Sequence, residues 1–122
     1  MSELSRELAD LPNRFQILET VLQINTTSVP SPVQILQGDP SRWEVEIWLA
    51  QITGATATPL WIGTDPTKVA ANKGIPVGTA LGLVGRWNVR QDGIRPQMQW
   101  WGAFSTPGIV LNLYLIETLV VQ

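Results

Sequence analysis

The chain contains no cysteine and no histidine. Without cysteine there is no disulfide framework, no thiolate zinc site, no iron–sulfur cluster and no cysteine nucleophile. Without histidine there is no Ser-His-Asp triad, no imidazole metal ligand and no side chain that ordinarily moves protons near neutral pH. Charge is also scarce, at 15% of residues against a usual fraction of about a quarter. No apolar run approaches the ~18 residues of a membrane span, and residues 1–12 are too acidic and polar for a secretory signal. The sequence therefore reads as a soluble, unexported chain with no catalytic residue, no metal and no cofactor, and not as an enzyme. Its 122 residues fit one domain that buries roughly two-thirds of its unfolded surface.

What is present is apolar and aromatic. The apolar fraction is 44%, and six of the nine aromatic residues are tryptophan. A sparsely charged surface of this kind fits a protein that covers much of itself with partners. The charge is unevenly spread. Lys68, Lys73, Arg86, Arg90 and Arg95 face only Asp92 within residues 68–95, while residues 1–25 are net acidic. A nucleic-acid site needs denser basic residues and a basic overall balance, whereas this chain has net charge −2; solvated loop and strand positions account better for the five cations.

All ten glycines lie at or beyond Gly38 and seven of nine prolines at or beyond Pro32, which divides the chain into an N-terminal docking arm (1–28) and a punctuated body (29–122). In the arm, Leu4, Leu8, Leu11, Phe15, Leu18 and Leu22 have the alternating three- and four-residue spacing of a helical seam. Pro12 interrupts it. Residues 3–10 are expected to be helical. Residues 14–24 are compatible either with a second helix opened by Pro12 or with an extended strand from Phe15 to Ile24.

The body carries strand signals: Val33–Gln37, Arg42–Ile52, Thr58–Gly63, Thr79–Val84, Arg86–Arg90, Gln97–Phe104 and Ile109–Val121. Turn chemistry separates them, notably Asp39-Pro40-Ser41-Arg42 and the similar Asp65-Pro66-Thr67-Lys68. In the second of these strands Trp43, Val45, Ile47 and Leu49 form the core stripe, with Glu44, Glu46 and Trp48 opposite. The last strand is apolar on both faces and is expected to be covered on both sides. No crossover helices are visible, so the fold class is mainly β: an antiparallel β-sandwich, jelly-roll-like, with a short helical or extended N-terminal arm.

Three patterns invite chemistry. Glu44 and Glu46 beside Trp48 resemble a glycosidase carboxylate pair, but alternation alone produces that spacing, and nothing supplies a raised-pKa acid. The stretch Gly78–Gly85 lacks the lysine ending and the following helix of a phosphate loop. Asn25-Thr26-Thr27 fits a glycosylation sequon by chance. Among the tryptophans, Trp43 and Trp100 fall on core stripes, while Trp48 and Trp101 fall opposite them. The latter two are the candidates for interface anchors or, less favoured, for glycan-stacking platforms.

Pro32-Val33-Gln34-Ile35-Leu36 and Pro40-Ser41-Arg42, followed by Pro59-Leu60-Trp61-Ile62-Gly63-Thr64-Asp65 and Asn72-Lys73-Gly74-Ile75-Pro76-Val77, resemble in order the small β-sandwich accessory proteins of tailed-phage virions, of capsid decoration (cement) or head-fibre type. The resemblance spans residues 29–120. It implies a homotrimer on the outer capsid surface, made in the bacterial cytoplasm, with the major capsid protein as partner and no nucleic acid or membrane. The apolar arm residues named above would then make capsid or protomer contacts. A glycan- or receptor-binding module of a head fibre or tail tip is the alternative.

Overall fold

Apolar alternation is cleanest in two stretches, around Val45 and around Leu113, and these become the two central strands of one sheet. The structure, a computed structural model, describes residues 15–121. Its strands are β1 (Phe15–Asn25), β2 (Val33–Leu36), β3 (Arg42–Thr53), β4 (Leu60–Gly63), β5 (Ile75–Val77), β6 (Gly82–Asn88), β7 (Trp100–Ala103) and β8 (Val110–Val120). Two short helices, α1 (Pro66–Ala70) and α2 (Val89–Asp92), and a 3₁₀ turn at Arg95–Gln97 complete it. The first sheet has the order β1-β8-β3-β6 and the second β2-β7-β4-β5, with every pairing antiparallel. Side chains of both sheets meet in one core: Ile24, Ile47, Leu49, Leu113 and Leu115 from the first, Ile35, Leu60, Ile62 and Trp100 from the second. The protein is thus mainly β, with a sandwich-like architecture. No helix among the described residues is long and apolar enough to cross a membrane.

β1 settles the open question at residues 14–24. From Phe15 opposite Val120 to Asn25 opposite Val110, it pairs with β8 along its whole length, so the strand alternative holds. The boundary drawn at residue 28 therefore falls beyond a strand that belongs to the first sheet. The helical seam also dissolves here: with a period of two, Phe15 lies on one face of β1 while Leu18 and Leu22 lie on the other. Leu22 packs against the core. Leu4, Leu8 and Leu11, with the helix expected over 3–10, lie outside the described residues.

The two Asp-Pro signals diverge. At Asp39 a turn forms: the Arg42 N–H donates to the Asp39 carbonyl, and Ser41 N–H to the Asp39 carboxylate. At Asp65 the carboxylate instead accepts from the N–H groups of Thr67 and Lys68 and caps α1, with Pro66 in its first turn. Residues 79–90, expected as two strands, form one strand that passes into α2 at Val89. Gly85 permits this path, because a Cβ there would collide with the Trp87 ring. That ring packs on Trp100 at a centroid distance of 4.5 Å. β5 carries no strand expectation because Pro76 sits at its centre; it survives as an edge strand paired only to β4.

Trp43 is a correction. The register shifts between Arg42 and Glu44, and the extra residue of this bulge takes Trp43 off the core stripe. Arg42 turns inward in its place. It is 3% exposed and Glu117 8%. Its Nε donates to Glu117 Oε1 at 2.8 Å, Nη1 to the carbonyls of Pro96 and Met98, and Nη2 to that of Gln37. One guanidinium thereby ties β3 and β8 to the segments flanking β2 and β7, with its donors satisfied as burial requires.

The sequon residues also hold structure. Asn25 Oδ1 accepts from Thr27 N–H, Thr26 Oγ1 from Ile109 N–H and Thr27 Oγ1 from Gly108 N–H. They continue the β1–β8 ladder past its last pair.

Candidate docking face

The outer face of the first sheet is built by the alternation that fills the core. Where Leu22, Leu113 and Leu49 stand in register on the inner face, the next residues along each strand point away from the second sheet. They form a row across all four strands: Val21 opposite Tyr114, Tyr114 opposite Trp48, Trp48 opposite Leu83. The neighbouring row is charged, with Glu19, Ile116, Glu46 and Arg86 in succession. Beyond it stand Ile17, Thr118, Glu44 and Asn88, and then Phe15 beside Val120. Phe15 meets the displaced Trp43 edge to face, with centroids 6.3 Å apart.

On either side of the charged row this face exposes apolar side chains. Ile17 is 63% exposed, Val21 60%, Leu83 47% and Phe15 38%. A monomeric soluble protein rarely leaves a contiguous apolar surface of this kind uncovered. Trp48 is half-buried among its row neighbours, and its indole N–H has no acceptor. Tryptophan and tyrosine at the centre of an apolar patch are the residue types that anchor interfaces. β1 adds a second feature: among the described residues it is an edge strand, with a single charge, Glu19, no proline and no bulge against β8. Natural edges usually carry such devices against unwanted pairing.

The charged row is partly neutralised. Arg86 forms an ion pair with Glu46. The expectation that nothing here supplies a raised-pKa acid is corrected: burial raises the Glu44 carboxyl above its ordinary pKa, opposed by Arg86 and reinforced by Glu46. Tyr114 hydrogen-bonds Glu19, which, with burial and the carboxylate's charge, raises the phenol pKa. Glu44 and Glu46 thus stand on an open sheet face, and neither lines the cavity formed around α1. Among the described residues no group of three or more carboxylates gathers as a metal site.

Trp48 and Trp101 do not come together. Trp101 lies on the outer face of the second sheet, opposite Gly63. Trp61, opposite Ala103, is its diagonal neighbour at roughly 7–8 Å, and both are half-buried. Sequence reasoning named Trp101 without Trp61, and Trp48 without Val21, Tyr114 and Leu83. Only the register places Tyr114 beside Trp48. Leu18 and Leu22 stand on the opposite face of β1, so of the three described seam residues Phe15, Leu18 and Leu22 only Phe15 joins this surface, beside Ile17 and Val21, which the seam did not include.

Compared with known proteins, the chain matches no family model, no curated protein and no solved structure.

Proposed function

We propose that the protein is a structural subunit that binds an assembled surface through the outer face of its first sheet, as a capsid decoration (cement) protein on a phage shell. The observation that carries the docking role is the apolar row Val21–Tyr114–Trp48–Leu83, with a second aromatic group, Phe15 and Trp43, beyond the charged row on the same face. The phage context rests on the sequence resemblance, as does the homotrimer. We also read the fold as a jelly roll: successive strands cross between sheets except for the β4–β5 pair, and the terminal strands β1 and β8 are neighbours. Viral capsid domains use that architecture, an analogy of fold that carries no function by itself.

The mechanism is thermodynamic. A subunit that binds the assembled lattice and not dispersed capsid subunits stabilises the shell by linkage. Particles carrying the protein should therefore release DNA at a higher temperature than particles lacking it. Equal release temperatures overturn the cement role.

A second reading is favoured by the diagonal Trp61–Trp101 pair: a glycan-stacking platform on the second sheet of a head-fibre or tail-tip module. In that case Trp61→Ala and Trp101→Ala remove retention on glycan arrays, while changes at Val21 and Leu83 do not.

A further inference from the structure

Three of the five cations within residues 68–95 converge. Lys68 on α1, Lys73 in the loop before β5 and Arg95 at the 3₁₀ turn line one cavity of about 310 Å³. None of them forms a salt bridge among the described residues. Arg86, by contrast, is paired with Glu46 on another face. The one acid in the cavity wall is Asp65, and its Oδ1 is already engaged by the N–H groups of Thr67 and Lys68.

Part of the cavity lining is apolar, from Ile62, Val69, Ile75 and Trp100. Ile62 and Val69 are fully buried behind it, and Trp100 closes the back. The Trp100 indole N–H is buried and has no acceptor. Gly74 lets the loop before β5 lie close against β4: a Cβ there would press on the Ile62 carbonyl at 2.5 Å. Three cations without a salt bridge among the described residues line a partly apolar cavity and give a local excess of positive charge in a chain that is acidic overall.

We propose that this cavity binds a small organic phosphate, the phosphate held by Lys68, Lys73 and Arg95 and the organic part resting against the apolar wall. The volume is at the lower end of ligand pockets, which suits a molecule the size of a sugar phosphate. Cations on a flexible lysine stem and a planar guanidinium suit a multi-oxygen anion, which each can contact by charge-assisted hydrogen bonds. A polynucleotide is disfavoured because its backbone needs a continuous basic track, and these three cations surround one cavity. The site lies apart from the proposed docking face, so its failure would leave that reading intact.

The test is titration of the intact protein with ribose 5-phosphate, inorganic phosphate and a ten-nucleotide thymidine oligomer at constant ionic strength, followed by amide NMR shifts. Ribose 5-phosphate should bind saturably and shift Lys68, Lys73 and Gly74, and inorganic phosphate should bind the same residues more weakly. Lys73→Gln and Arg95→Gln should each weaken ribose 5-phosphate binding about tenfold, the loss of one charge-assisted hydrogen bond. Arg90→Gln, an exposed cation outside the cavity, should leave it unchanged. No saturable shift, equal loss in Arg90→Gln, or tighter binding of the oligomer than of ribose 5-phosphate would overturn the proposal.

Discussion

On the inner face of the first sheet, Leu113, Leu115, Ile47 and Leu49 are sealed beneath the second sheet. On its outer face, Val21 and Leu83 flank Tyr114 and Trp48 in one open row. The residues on the two faces are chemically alike and one position apart in sequence, yet only the inner set is covered within the chain. Burial of the inner set stabilises the fold by about 25 cal/mol per Å² of apolar area. The outer set gains that stabilisation only when something else covers it. Under the proposed function, stability and association fall to opposite faces of the same strands.

The comparison is broken most severely at the buried ion pair that joins the two central strands. Glu117→Ala leaves the buried Arg42 guanidinium without its counter-charge, and should cost about 3–5 kcal/mol in chemical denaturation. Pairing it with Arg42→Met should recover part of that loss, because the double variant buries no charge. Next in size is the contrast between faces. Leu113→Ala should cost about 2–5 kcal/mol by opening a core cavity. Ile17→Ser with Val21→Ser should change stability by no more than about 0.5 kcal/mol per site while abolishing docking. A large loss of stability from the outer pair would mean that the row is structural.

The same outer face governs how much could be read from the sequence. β3 and β8 were legible because long alternation marks their inner stripe. β1 was ambiguous because Phe15, Ile17 and Val21 point outward while Leu18, Leu22 and Ile24 point inward, so apolar residues occupy both faces and no period of two stands out. That blurring is itself the signature of a strand that uses both sides. Trp43 was misplaced because a one-residue bulge reverses the face of a side chain without changing composition. Asp65-Pro66 was read as a turn because the same residues that open a type I turn also cap a helix. The docking row and the basic cavity were illegible for a further reason: each joins residues from three or more separate segments, and only pairing register or the packing of α1 brings them together. Sequence counted the cations of residues 68–95 correctly but did not separate the paired Arg86 from the three at the cavity.

The absence of cysteine makes the central claim directly measurable, since any introduced thiol is unique. Val21→Cys and, as a reference on an exposed loop, Thr106→Cys can be labelled with a maleimide in the free protein and in purified particles. The account predicts that both react readily when free, and that in particles Val21→Cys becomes protected while Thr106→Cys keeps reacting. Equal labelling of Val21→Cys in the free and assembled states would contradict it.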